Sequence, residues 1–85
     1  MEIKIDVPKY HPETGITYKW ENGFHIEVKV VDGIIQINAN PEGLISLANH
    51  LLNLAQTEVP PQHHLHFDEF NSLEEGSLEL MFQKI

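Results

Sequence analysis

His64, His66 and Asp68 occupy alternate positions in the run His63-His64-Leu65-His66-Phe67-Asp68. In an extended strand such positions share one face, so two imidazoles and a carboxylate would project together. Zinc or another divalent ion takes three or four nitrogen and oxygen ligands at about 2.0–2.2 Å, and His25 or Glu79 is placed to supply a fourth. The same spacing also suits ordinary strand residues on a face open to solvent or to a partner. Histidines there would make binding pH-dependent near neutrality. The next stretch, from Asp68 to Ser77, carries four carboxylates, Asp68, Glu69, Glu74 and Glu75, together with Asn71. Acid–base catalysis by such a set needs an enclosed pocket that separates the pKa values of two carboxyls, which a surface hairpin in so short a chain does not offer. Two readings remain. One is a solvated turn in which Asn71 and Ser72 bond local backbone groups and Gly76 takes a positive φ. The other is an acidic docking surface that steers and then pairs with lysines or arginines of a basic protein.

Nothing else in the chain points to catalysis. Ser46, Ser72 and Ser77 lack the G-x-S-x-G setting of a nucleophile, and no glycine-rich loop is built to cradle a phosphate. Neither enzyme activity nor a cofactor is expected.

The elements that must position these residues follow from hydrophobic period and turn chemistry. Ile3, Ile5 and Val7 alternate until Pro8, which predicts a short edge strand over 2–7. Asn22-Gly23 and Asp32-Gly33 then predict a three-strand meander. A two-residue loop at Asp32-Gly33 sets Val30 against Ile35, Val28 against Ile37 and Ile26 against Ala39. At Asn22-Gly23 a three-residue turn with a left-handed Gly23 sets Trp20 opposite Phe24 and Tyr18 opposite Ile26. Trp20 then either packs in the core or, at an uncovered hairpin tip, anchors an interface.

A helix is predicted from residue 41. Asn40 is its N-cap, Pro41 occupies the first turn, and Glu42 meets the positive end of the dipole. Leu44, Leu47, Ala48, Leu51, Leu52 and Ala55 form its core stripe, Ser46, Asn49, His50, Asn53 and Gln56 its outer face, and Val59-Pro60-Pro61 its end. A second hairpin follows over roughly residues 63–85. The predicted fold is α+β: a mainly antiparallel sheet in the order β-βββ-α-ββ, with one amphipathic helix on one face. Phe24, Ile26, Val28, Val30, Ile35, Ile37, Leu65, Phe67, Leu78, Leu80 and Phe82 would point at the helix. The opposite face, carrying His25, Glu27, Lys29, Gln36, Asn38, His64, His66, Asp68, Glu79, Met81 and Gln83, would be solvated, paired with a second copy, or bound to something else.

Length and charge narrow the function. The chain has 85 residues, short enough to form one domain over 1–85 with a modest core. Five lysines, no arginine and thirteen carboxylates give a net charge of −8, a field that repels nucleic acid. Residues 30–85 carry eight of the carboxylates and only one lysine, Lys84. There is no cysteine for a disulfide framework, no signal-peptide pattern and no apolar run of membrane length, so a cytoplasmic protein is expected.

Residues 38–85 resemble the family known as immunity protein 32 of bacterial polymorphic toxin systems. The likeness runs through Glu42-Gly43-Leu44, Ser46-Leu47-Ala48-Asn49, Leu54-Ala55, Val59-Pro60, His64 with His66, Asp68, Asn71-Ser72-Leu73-Glu74, Gly76-Ser77 and Glu79-Leu80. Phe67 and Phe70 stand where Leu and Tyr are usual, and Met81-Phe82 where aliphatic pairs are. The resemblance implies a small, non-enzymatic α+β protein that binds and neutralises a cognate toxin, often a nuclease, inside the producing cell. A nuclease domain is basic, and an acidic inhibitor would occupy its phosphate-binding surface. The expected contacts are His64, His66, Asp68, Glu69, Asn71, Glu74 and Glu75. The alternative is a small metal-binding protein using His64, His66 and Asp68, and a homodimer through the outer sheet face is a third possibility.

Overall fold

Asp32 and Gly33, with φ of 51° and 77°, make the left-handed turn that a two-residue hairpin loop requires. In the computed structural model, which describes residues 1–85, this turn joins strands β1 (Ile26–Val31) and β2 (Ile34–Ala39). Their register is the one expected: Ile26 faces Ala39, Val28 faces Ile37 and Val30 faces Ile35. Helix α1 (Pro41–Leu54) follows, and strands β3 (His64–Phe67) and β4 (Leu80–Gln83) form the second antiparallel pair. The architecture is α+β, with two small antiparallel sheets and one helix.

The two hairpins are joined through backbone. Glu74 and Leu78 donate their N–H groups to the carbonyls of Ile26 and Val28, each at 2.9 Å. Val28 in turn donates to the Ser77 hydroxyl at 3.1 Å. The acidic connection therefore lies along the free edge of β1 before it enters β4. β2 is left as the unpaired edge.

Asn40 caps α1 as expected, its side-chain oxygen accepting from the Gly43 N–H at 2.8 Å. The same oxygen accepts from the His25 N–H at 2.9 Å, and the amide donates to the Gly23 carbonyl at 2.8 Å. One side chain thus ties the helix start to both ends of the 23–25 turn. Gly43 permits the close approach that follows: a β-carbon there would sit 2.7 Å from the His25 carbonyl oxygen and 2.9 Å from Ile26 Cγ1. Alanine would raise helix propensity, yet the collision is with backbone. Gly43→Ala is therefore expected to destabilise by about 1–3 kcal/mol, read as a lower melting temperature with unchanged far-UV helix content below the transition.

The helix is turned differently from its leucine pattern. Ser46, Asn49, His50 and Asn53 are buried, while Leu44, Leu51 and Leu52 are exposed. The inward polar side chains have assigned work. Ser46 Oγ accepts from Glu21 N–H at 2.9 Å, Asn49 donates to the Asp6 carbonyl at 3.0 Å, and Gln56 both donates to the Pro8 carbonyl at 3.2 Å and accepts from Tyr10 N–H at 2.9 Å. Residues 2–7 and 16–21 accordingly form no strands. Their backbone is recruited to the helix's polar row instead of to a sheet ladder, and this competition overturns the predicted edge strand and meander. The turn at Gly23 survives, with φ 80° and a Phe24 N–H to Glu21 carbonyl bond of 3.2 Å. The helix also ends at Leu54, five residues before Val59-Pro60, where Gln56 folds back onto Asn53.

The core gathers Ile26, Val28, Leu47, Leu54, Leu65 and Phe67 with three residues from predicted connections, Tyr10, Val59 and Leu73. Val30, Ile35, Ile37 and Leu78, expected to face the helix, are exposed. The far half of the first hairpin extends beyond the part that α1 covers.

Candidate functional site

Asp68 and Asn71 hold the acidic connection together from within. Asp68 Oδ1 accepts the N–H groups of Phe70 and Asn71 at 2.9 and 3.1 Å, while Asn71 Oδ1 accepts the Asp68 N–H at 3.0 Å. This is the reciprocal side-chain-to-backbone pattern of an Asx turn. Asn71 also donates to the His66 carbonyl at 3.1 Å, and Glu69 accepts the N–H of Gly76 at 2.8 Å. Gly76 has φ 84°, the positive value expected of the turn.

Glu74 and Glu75 are free of such internal duties and exposed. Glu74 lies 3.0 Å from His25 Nδ1, an exposed pair that solvent screens. His66 stands between two carboxylates, 3.4 Å from Glu79 and 3.9 Å from Asp68. His64 contacts only the Gln62 carbonyl, at 3.5 Å. His64 and His66 are exposed at alternate positions of β3, with Asp68 just past its last residue, and no three histidine or carboxylate side chains converge in a set able to hold a metal ion. The loop's own backbone claims Asp68 Oδ1, and His64 points to no second ligand.

The outer face of the first hairpin is a small polar lattice. Asn38 donates to Glu27 at 3.2 Å and Lys29 lies 3.5 Å from the same carboxylate. The Asn38 hydrogen bond and the Lys29 charge hold the Glu27 carboxyl below its usual pKa.

The sequence reading missed the feature beside these residues. Tyr18, Trp20, His50 and Phe67, with His64 and His66 at the rim, line a cavity of about 230 Å³. Tyr18 stacks on His50 at 4.8 Å between ring centroids, and Trp20 packs against His50 at 4.3 Å and Phe24 at 4.4 Å. The Trp20–Phe24 pairing predicted from the turn is thus realised without the strand that was to carry it. Phe67 meets both His50 and Trp20 edge-on. His50 is 1% exposed, and burial pushes its pKa down. Burial likewise raises that of Tyr18. A signal for this site was present: residues 43–57 contain no charged side chain, and a helix face meant for water seldom lacks them.

Residues 34–85, from β2 to the C-terminal residue, match the family described as Immunity protein 32. That span includes the whole motif run over 38–85, the helix, both strands of the second hairpin and the acidic connection. No curated protein and no solved structure matches the chain. No helix is long and apolar enough to cross a membrane.

Proposed function

This chain belongs to the Immunity protein 32 family, and from that membership we propose that it is a non-enzymatic inhibitor that binds a cognate toxin in the bacterial cytoplasm of the producing cell. The family match over more than half of the chain carries the reading, and the net charge of −8 supports its electrostatic part. We propose that the toxin domain is basic, as a nuclease must be to hold phosphate, and that the acidic 68–77 connection with His64 and His66 faces it.

Within that surface the carboxylates divide by role. Glu74 and Glu75 project outward and would meet the toxin directly, while Asp68, Glu69 and Asn71 would fix the loop that presents them. Glu74→Lys with Glu75→Lys is expected to weaken toxin binding by tenfold or more, about 1.4 kcal/mol, through slower association at low salt and with an unchanged melting temperature. Asp68→Ala is expected to lower stability by about 0.5–2 kcal/mol through the lost turn as well as weakening binding. Charge reversal at Glu74 and Glu75 that left affinity untouched would remove the acidic surface from the interface. A second copy on the outer sheet face competes with this reading; it requires a concentration-dependent dimer in sedimentation, whereas the inhibitor reading requires a one-to-one complex with toxin.

A further inference from the structure

The cavity beside the acidic loop has an unmet hydrogen-bonding requirement of known sign. His50 Nδ1 lies against the Ser46 carbonyl. A carbonyl oxygen only accepts, so the proton is on Nδ1. Burial favours the neutral ring, which leaves Nε2 as a bare lone pair. That atom is buried and has no hydrogen-bond partner, on a ring that forms part of the cavity wall. Its complement must be a donor.

Three further observations specify that donor. At about 230 Å³ the space falls below the ~300 Å³ at which pockets for whole small-molecule ligands begin, so it suits one side chain. Tyr18, Trp20 and Phe67 stand in its walls, and an aromatic face attracts a planar cation. At the rim, His66 is flanked by Asp68 and Glu79 at 3.9 and 3.4 Å, carboxylates that favour a positive charge. Tyr18, which stacks on the His50 ring, is 43% exposed.

We propose that this aromatic cavity is an anchor pocket for an arginine side chain of the partner protein, with the guanidinium donating to His50 Nε2 and packing against the partly exposed Tyr18 ring. The partner's identity as a protein rests on the function proposed above; the pocket's chemistry does not. A lysine would satisfy the charge but not the planar stacking. Arginine is also among the residues that dominate interface energetics when seated in desolvated pockets.

The test titrates the free protein with N-acetyl-arginine amide, followed by NMR at the Trp20 indole N–H, the Tyr18 ring and the His50 ring nitrogens. N-acetyl-citrulline amide, neutral and nearly isosteric, and N-acetyl-tyrosine amide are the comparisons. The free protein is expected to show the proton on Nδ1. Arginine amide should give saturable shifts at all three residues, binding at least about threefold more tightly than citrulline amide, a difference of ~0.65 kcal/mol. Tyr18→Ala, at a partly exposed position, should abolish saturation and leave the fold intact. A proton on Nε2, equal binding of citrulline or tyrosine amide, or shifts confined to the 68–77 loop would each overturn the proposal. Arginine seated in the pocket of a protein that binds no toxin would contradict the immunity reading alone. Toxin binding without arginine capture would contradict only the pocket.

Discussion

Ile26→Ala is expected to cost about 2–5 kcal/mol of unfolding free energy, enough to unfold much of a population of so small a domain. Ile26 has no solvent exposure, it touches the helix where Gly43 makes its closest approach, and its carbonyl receives the N–H of Glu74. Its removal therefore loosens helix, hairpin and acidic connection together. The milder Ile26→Val, at about 0.5–1.5 kcal/mol, keeps the comparison measurable by urea denaturation. Leu52→Lys and Ile35→Lys are expected to change stability by no more than about 0.5 kcal/mol, because Leu52 is 48% and Ile35 67% exposed. A large loss from Leu52→Lys would mean that the leucine stripe of α1 faces the core after all.

His50→Ala is the second large effect, about 3 kcal/mol, near the low end for truncating a buried ring. Tyr18, Trp20 and Phe67 all pack on that ring, so their contacts are lost along with the bond to Ser46. The same burial links stability to pH. Its folded-state pKa is lowered, so the unfolded chain takes up the proton first as pH falls. The contribution is complete above the unfolded value of about 6.5 and is lost progressively as pH drops from there toward the lower folded-state value. His50→Gln should flatten stability against pH in that window. The other titratable groups lining the cavity are Tyr18, a phenol neutral throughout that window, and His64 and His66 at the rim. His64→Gln with His66→Gln separates any share of theirs. A wild-type slope that persisted in His50→Gln would place the proton-linked group elsewhere.

Local rules carried the elements that local chemistry decides. The Asp32-Gly33 turn dictated a register that the first hairpin follows residue for residue, and Asn40, Pro41 and Glu42 marked the helix start. Long-range competition decided the rest. Alternation in Ile3-Lys4-Ile5-Asp6-Val7 suits a strand, yet the side-chain amides of Asn49 and Gln56 take the carbonyls of Asp6 and of Pro8 just after it, and no period in either segment reveals the pairing. The helix had two candidate inner faces, leucine-rich and amide-rich, and hydrophobicity alone chose the first. The absence of charge from both faces pointed to burial on the polar side. The exposed placement of His64, His66, Glu74 and Glu75 followed from residue type. The cavity did not, because it assembles from Tyr18 and Trp20 in one segment, His50 in the helix and Phe67 in β3, which meet only through tertiary packing.

The proposed function is that of an acidic immunity protein that binds a basic toxin domain. Its most direct test is a calorimetric titration against a candidate cognate toxin domain, at about 50 and 300 mM salt, where the screening length falls from roughly 14 to 6 Å. Tight one-to-one binding that weakens at the higher salt is the predicted result. No binding at either concentration would contradict the immunity reading, and tight binding indifferent to salt would contradict its electrostatic basis.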